Sequence, residues 1–305
     1  MKLLLTHLLL LFAAFGCFGQ SKGQIVKVAN FKSEFVKSRN IEIWLPPGYN
    51  ENPDKKYPVL YMHDGQNVFN AETAMNNIAW EADETAERLI VSKFMKPVII
   101  VAIWNTDLRF MEYFPEKAAE NFTQQDTDAL AKTKEMFSIT GNEYLGDEYL
   151  KFLTKELKPY VDQKYRTLSD RANTAICGSS MGALISLYAI CEYPDVFGEA
   201  ACVSTHWPIL LNDGNPGPSI AVKRYFAEHL PSPESHRIYF DHGTATLDQY
   251  YEKHQKSIDG IMKNKGYEMY KNCLTRKFEN APHNEKAWQE RFDQVLRFLY
   301  KEKMK

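Results

Sequence analysis

Apolar and polar residues alternate along QIVKVANFKSEF (24–35) and RNIEIWLPPGY (39–49). A period of two predicts a pair of antiparallel strands, closed by the Pro-Pro-Gly turn. The pattern then changes to compact apolar runs alternating with stretches of helical spacing. YPVLYMHDG (57–65) reads as a strand running into a glycine turn, EADETAERLIVSK (81–93) as a helix, and KPVIIVAIWN (96–105) as a second buried strand. The segment from Thr106 to Ile139 is polar and aromatic with no clear period. NEYLGDEYLKFLTKELKPYVDQKY (142–165) places apolar residues three and four apart and predicts a helix. Then come a strand (NTAICGSS, 173–180), a helix (MGALISLYAICEYP, 181–194) and two strands (GEAACVSTHW, 198–207; SHRIYFDHG, 235–243). A helix (247–267), a strand and loop (KNCLTRKFENAPH, 271–283) and a closing helix (285–303) end the chain. Strands interleaved with helices over this length predict one α/β domain across 20–305. Its sheet is expected to be doubly wound and mostly parallel, with an antiparallel N-terminal edge.

The first 19 residues depart from this pattern. A basic start at Lys2, an apolar centre from Leu3 to Phe15 and small residues at Cys17 and Gly19 make the layout of a secretory signal peptide, with cleavage expected between Gly19 and Gln20. Lipid attachment at Cys17 is a weaker match, because Ala14 and Phe15 precede Gly16. No other segment is long and apolar enough to span a membrane. A secreted or periplasmic location follows as the expectation. Export permits disulfides, but Cys177, Cys191, Cys202 and Cys273 lie in apolar or helical runs without paired or metal-ligand spacing, so buried free thiols are expected.

Composition adds a boundary. The 305 residues are 44% apolar and 25% charged with a net charge of -2, ordinary for a globular protein and without the basic face that nucleic-acid binding requires.

Chemistry concentrates at Gly178-Ser179-Ser180-Met181-Gly182. It fits G-x-S-x-G and lies between a predicted strand and a predicted helix, the setting of a nucleophile elbow. The central serine is Ser180; helix capping is the bland alternative. A serine hydroxyl needs a histidine to take its proton and an acid to orient that histidine, and in this arrangement acid and base follow in chain order. His283, in the loop NAPHNEKAW before the last helix, is the expected base, with His242 the second choice. His254 falls in a charged helical run and is expected to be solvated, and His229 and His236 flank a proline-rich loop expected at the surface. Asp248, in GTATLDQYY, is the expected acid, with Asp241 as the fallback. Acyl transfer also needs donors for the oxyanion: the backbone N–H of Met181, and that of Gln66 in the turn YMHDGQNVF. His63 and Asp64 are then structural or rim residues. Trp104, Asn105 and Arg109, with His206 and Trp207 in STHWP, are candidates to line the substrate cleft; an internal Arg109–Glu112 pair is the alternative for that loop.

These residues resemble the "putative esterase" family of α/β-hydrolases, which includes esterase D, feruloyl and acetyl xylan esterases, enterochelin esterases and secreted mycolyltransferases. The resemblance covers most of the mature chain and rests on VLYMHDGQNVF, NTDLRFMEYFPEK, CGSSMGALISLYAICEYPDVFG, STHWP, IYFDHGTATLDQYY and FENAPHNEKAWQERF. It implies an α/β-hydrolase fold and a serine esterase without cofactor or metal, with Ser180, Asp248 and His283 as the triad. The family's shorter acid loop is replaced here by GTATLD. The expected activity is removal of acetyl- or feruloyl-type groups from a carbohydrate-linked ester. A siderophore trilactone esterase is the alternative, acyl transfer to a sugar a third reading, and a non-catalytic glycan-binding protein the reading from another class.

Overall fold

The computed structural model describes residues 22–136, 138–141, 143–210 and 215–301. The expected leader and Cys17 lie outside these. Among the described residues no helix is long and apolar enough to cross a membrane.

Eight strands form one sheet: β1 (Gln24–Phe31), β2 (Arg39–Leu45), β3 (Val59–Met62), β4 (Ile99–Ile103), β5 (Thr174–Ser179), β6 (Glu199–Val203), β7 (Arg237–His242) and β8 (Cys273–Lys277). Their order is β1-β2-β4-β3-β5-β6-β7-β8. β1 and β2 pair antiparallel, β2 joins β4 antiparallel, and every pair from β4 to β8 is parallel. The antiparallel edge and parallel body match the expectation.

Side chains of the central strands alternate between two apolar layers, because successive residues of a strand point to opposite faces. Ile99, Val101 and Ile103 belong to one layer, Ile100 and Ala102 to the other, all fully buried. Parallel strands covered on both faces carry such continuous apolar runs. Helices α1 (Ala82–Val91) and α9 (Glu285–Tyr300) cover one face. The other face is covered chiefly by α6 (Met181–Glu192), α7 (Gly217–His229) and α8 (Tyr251–Asn264). All of α6 from Met181 to Cys191 is buried, and its sequence is accordingly apolar all round.

Three regions depart from the sequence reading. The segment from Thr106 to Ile139 contains α2 (Arg109–Glu112), a 3-10 helix (Glu116–Asn121) and α3 (Gln124–Met136). In α3 only Asp126 and Leu130 are buried, so burial leaves little periodic signal there. Helix α7 lies where the pattern predicts no element, although its buried Val222, Tyr225 and Phe226 stand at helical spacing. The predicted helix at 142–165 begins later, at α4 (Gly146–Lys151), and passes through a wide π-helical stretch (Phe152–Leu157) before α5 (Lys158–Lys164). Pro159 has no N–H to give to the ladder just beyond that stretch. The four cysteines of the sheet and helices are buried free thiols.

Candidate active site

The site lies at the carboxyl ends of the parallel strands, where α/β sheets place their ligands. Ser180 follows β5 directly, with φ 56° and ψ -117°, a conformation that L side chains rarely adopt. The strain is held by the packing around it. Ser180 N–H donates to the Val203 carbonyl at 2.9 Å, and the Ser180 carbonyl accepts from the His206 N–H at 3.3 Å. Gly178 is needed for space, because a Cβ there would come within 2.6 Å of the Gly182 backbone; a Cβ on Gly182 would make a tight contact with the His63 Cβ at 3.3 Å. The turn therefore presents Ser180 at the N-terminus of α6, while Ser179 is buried.

The loops after β7 and β8 are zipped together. Thr244 and Ala245 N–H groups both donate to the Ala281 carbonyl at 3.1 Å, and His283 N–H donates to Thr246 Oγ1 at 2.7 Å. The 3-10 turn Thr246–Tyr250 puts the fully buried Asp248 against His283, with Oδ1 2.5 Å from Nδ1. The other carboxylate oxygen accepts from Ser204 Oγ and from Gly243 N–H, each at 2.6 Å. Burial pushes the Asp248 pKa up, but the His283 hydrogen bond and charge, with those two donors, hold it below the usual carboxylate range. Asp241, the fallback acid, does not reach His283. Its carboxylate accepts from Arg291 at 2.9 Å and from the Tyr239 hydroxyl at 3.0 Å. His242, the second choice of base, is buried with Nδ1 turned to the Gly243 carbonyl.

The turn after β3 is a 3-10 helix, Gly65–Asn67, entered through a left-handed Asp64 (φ 55°). A Cβ on Gly65 would lie 2.6 Å from the Ile103 backbone, so only glycine lets this turn lie against the end of β4. Among the described residues, no acceptor meets the backbone N–H of Gln66 or of Met181. Asp64 fixes the neighbouring loop: it accepts from Arg109 Nε at 2.7 Å, Arg109 NH2 at 2.6 Å and Asn105 Nδ2 at 2.5 Å. Burial raises the Asp64 carboxyl pKa, and the Arg109 charge and these hydrogen bonds outweigh it, leaving the pKa below normal. Arg109 thus pairs with Asp64 and not with Glu112, which takes a bidentate pair from the buried Arg39 at 2.6 and 2.9 Å. His63 is buried beneath the turn, with Nδ1 2.8 Å from the Tyr149 hydroxyl.

The proposed cleft residues divide. Arg109 keeps 31% of its side chain exposed, and Trp104 and Asn105 are half-buried. Trp207 is a core residue: it is 1% exposed, packs on Phe226 and Phe240, and donates from Nε1 to Gln255. His206 is also buried, with Nδ1 2.7 Å from the Tyr251 hydroxyl, so it backs the site and does not line a cleft. His254 and His236, read as surface histidines, are buried. The first lies against Ser219 and Lys223, the second against the carbonyls of Ser232 and Pro194. Sequence reasoning missed Ser204, Tyr251, Trp288 and Arg291. Ser204 Oγ, besides its bond to Asp248, accepts from Trp288 Nε1 at 3.1 Å and Arg291 NH2 at 2.7 Å. The string STHWP carries no signal of this, because the partners come from α9.

Sheet order, covering helices and strained serine turn define an α/β-hydrolase. Solved structures agree. A ferulic acid esterase superposes with a TM-score of 0.64 at 21% identity, covering 91% of this chain and 97% of that one. An IroE-like serine hydrolase from Shewanella oneidensis superposes with a TM-score of 0.63 at 16% identity, covering 90% and 79%. Residues 33–299 match the family described as "Putative esterase", and the chain belongs to that family; it is an ester hydrolase. YbbA, an uncharacterized protein of Bacillus subtilis (strain 168), is 23% identical over 86% of this chain and 93% of its own length. Two further relatives are matched over less than two thirds of their length. The endo-1,4-beta-xylanase/feruloyl esterase of Xylanibacter ruminicola is 24% identical over 63% of this chain and 23% of that protein. The ferri-bacillibactin esterase BesA of Bacillus subtilis is 25% identical over 62% of each.

Proposed function

We propose that this protein is an exported serine carboxylic ester hydrolase that works through an acyl-enzyme, with Ser180 as nucleophile, His283 as base and Asp248 as acid. The observation that carries the reading is the 2.5 Å contact of Asp248 with His283 Nδ1, which leaves Nε2 as the nitrogen to act as base. Nε2 takes the Ser180 proton as Oγ attacks the ester carbonyl. The N–H groups of Met181 and Gln66 receive the oxyanion. Collapse of the tetrahedral intermediate breaks the C–O bond, and His283 returns the proton to the departing alcohol. Water then repeats the sequence, releasing the acid and restoring the Ser180 hydroxyl.

The favoured substrate is a carbohydrate-linked acetyl or feruloyl ester, in line with the feruloyl esterases among the similar proteins. A siderophore trilactone is the second reading, favoured by the similarity to BesA and to the enterobactin esterase of Shigella flexneri (TM-score 0.61, 17% identity, 92% of this chain and 59% of that one). Export rests on the leader pattern of residues 1–19. The test is hydrolysis of p-nitrophenyl acetate and labelling by a fluorophosphonate, both expected to vanish in Ser180→Ala. Wild-type protein that is neither active nor labelled would sink the reading. Acetyl xylan, methyl ferulate and a catecholate trilactone then separate the substrate classes by kcat/KM.

A further inference from the structure

Ser204 joins the triad acid to the last helix, and its hydrogen bonds fix where its proton lies. It follows β6 with φ 43°, and its N–H donates to the Asp241 carbonyl at 2.9 Å. A left-handed serine is strained, and such strain persists where the surroundings over-determine it. Here the side chain is fully buried and has three partners. Trp288 Nε1 and Arg291 NH2, both from α9, lie 3.1 and 2.7 Å from Oγ, and Asp248 Oδ2 lies at 2.6 Å. Indole and guanidinium N–H groups donate and never accept. They occupy the two lone pairs of the Ser204 hydroxyl, so its single proton must point at Asp248.

The consequence reaches His283. Asp248 Oδ2 receives the Ser204 proton and the Gly243 N–H together, so that oxygen carries no proton of its own. Oδ1 is left to His283 Nδ1. Arg291 is satisfied poorly except in this cluster. One nitrogen, NH2, donates to both Ser204 Oγ and Asp241 Oδ1, whereas Nε and NH1 are buried with no acceptor among the described residues. Buried donors without partners cost stability, so packing alone is a poor account of an arginine here. Its pairing with Asp241 also occupies that carboxylate, and Asp248 is the one that meets the imidazole.

We infer that Ser204 and Arg291 are positioning residues for the triad acid: Arg291, a donor that cannot accept, turns the Ser204 hydroxyl onto Asp248 and so locks the carboxylate toward His283. Both are buried and act through Asp248. What they supply is an acid already oriented before positive charge develops on the ring, which the enzyme would otherwise have to gain during the reaction. The inference rests on Asp248 and His283 as acid and base of the proposed esterase.

The test reads the Asp248–His283 bond and turnover side by side. At 2.5 Å the contact is a short, charge-assisted one, and its proton should give a far-downfield NMR resonance, assigned by its absence in His283→Gln. Ser204→Ala is expected to move that resonance upfield or broaden it away. It should also lower kcat for p-nitrophenyl acetate by roughly tenfold, the size of one net hydrogen bond, with KM within about twofold of wild type. Arg291 is tested by the direction of donation. Arg291→Lys brings only donors and should keep the resonance; Arg291→Gln brings a carbonyl that can take the Ser204 proton, and should lose it. Ser219→Ala is the control for a lost buried hydroxyl. Ser219 lies on α7, is 1% exposed and contacts His254, so its removal should lower the thermal midpoint alone. Should the arginine variants not fold, Ser204→Ala decides. A resonance absent from wild type, unmoved in Ser204→Ala, or affected alike by lysine and glutamine at position 291 overturns the inference. Wild-type protein that shows the resonance yet neither hydrolyses esters nor is labelled by a fluorophosphonate sinks the esterase reading instead, because the bond is read without turnover.

Discussion

Asp248 divides its carboxylate between two tasks: Oδ1 holds His283 Nδ1 at 2.5 Å, and Oδ2 is anchored by Ser204 Oγ and Gly243 N–H at 2.6 Å. The anchoring oxygen fixes the acid in the loop after β7, so the other is free to orient the imidazole. A carboxylate so held needs no reorganisation when positive charge develops on the ring.

The two candidate acids are separable by mutation. Asp248→Asn should lose ~10³–10⁴ in kcat, because the amide can present the wrong hydrogen-bond partner to Nδ1. Asp241→Asn should instead weaken the anchor on Arg291 and Tyr239, at about 1–3 kcal/mol of stability, with kcat per folded molecule within a few-fold of wild type. Steady-state kinetics and urea denaturation of the two variants would distinguish them; the reverse pattern would make Asp241 the acid.

Gly65→Ala tests the proposed oxyanion turn. Its Cβ would meet the Ile103 backbone at 2.6 Å, forcing the turn away from β4. Overpacking of this kind costs about 1–3 kcal/mol. Displacing the Gln66 N–H is expected to lower kcat by ~10²-fold, the scale of losing one oxyanion donor. A variant with reduced thermal midpoint but unchanged kcat would remove Gln66 from that role.

The Arg39–Glu112 pair is buried on both sides, at 1% and 0% side-chain exposure. Arg39→Met would leave Glu112 an uncompensated buried charge and should cost about 3–5 kcal/mol. The Arg39→Met/Glu112→Leu double variant should recover most of that loss, since no charge then remains to desolvate. Urea denaturation of the three proteins provides the measurement.

His63 gives the protein an acid-sensitive element. Burial, then the Arg109 and Arg39 charges against the opposing pull of Asp64, lower its pKa from 6.5 to about 3. Between those values the unfolded chain binds a proton that the folded protein refuses, so stability falls as pH drops from about 6.5 towards 3. One such group contributes up to about 1.4 kcal/mol per pH unit in that window. The stability difference between wild type and His63→Gln, measured at pH 7, 5 and 4, should therefore shrink as the solution is acidified. A pH-independent difference would show that His63 titrates alike in both states.

How much of the site was legible depended on how local its chemistry is. Gly178, Ser180 and Gly182 are close in sequence and their job is a single tight turn, so the motif disclosed both the turn and its chain context. Asp248 and His283 were placed by chain order and loop position, and the structure brings those two side chains together. Trp207 was misplaced because an aromatic after a strand end looks the same whether it faces a cleft or, as here, Phe226 and Phe240. His254 is buried because the charged residues of α8 describe only its outer face, while Tyr251, His254, Ile258 and Met262 lie three and four residues apart on the buried one.

By itself, the sequence determined the alternation of strands and helices, the antiparallel edge and the strained serine turn. Each of these depends on periodicity or on neighbours within a few residues. Only the tertiary structure decided that Arg109 pairs with Asp64 across 45 positions, that Ser204 gathers Trp288 and Arg291 from α9 onto Asp248, and that the Tyr251 hydroxyl meets His206 Nδ1. Those partners meet because parallel strands end side by side and their loops converge at one edge of the sheet. Hydrogen bonds formed there join segments that share no local pattern, so no period along the chain could announce them.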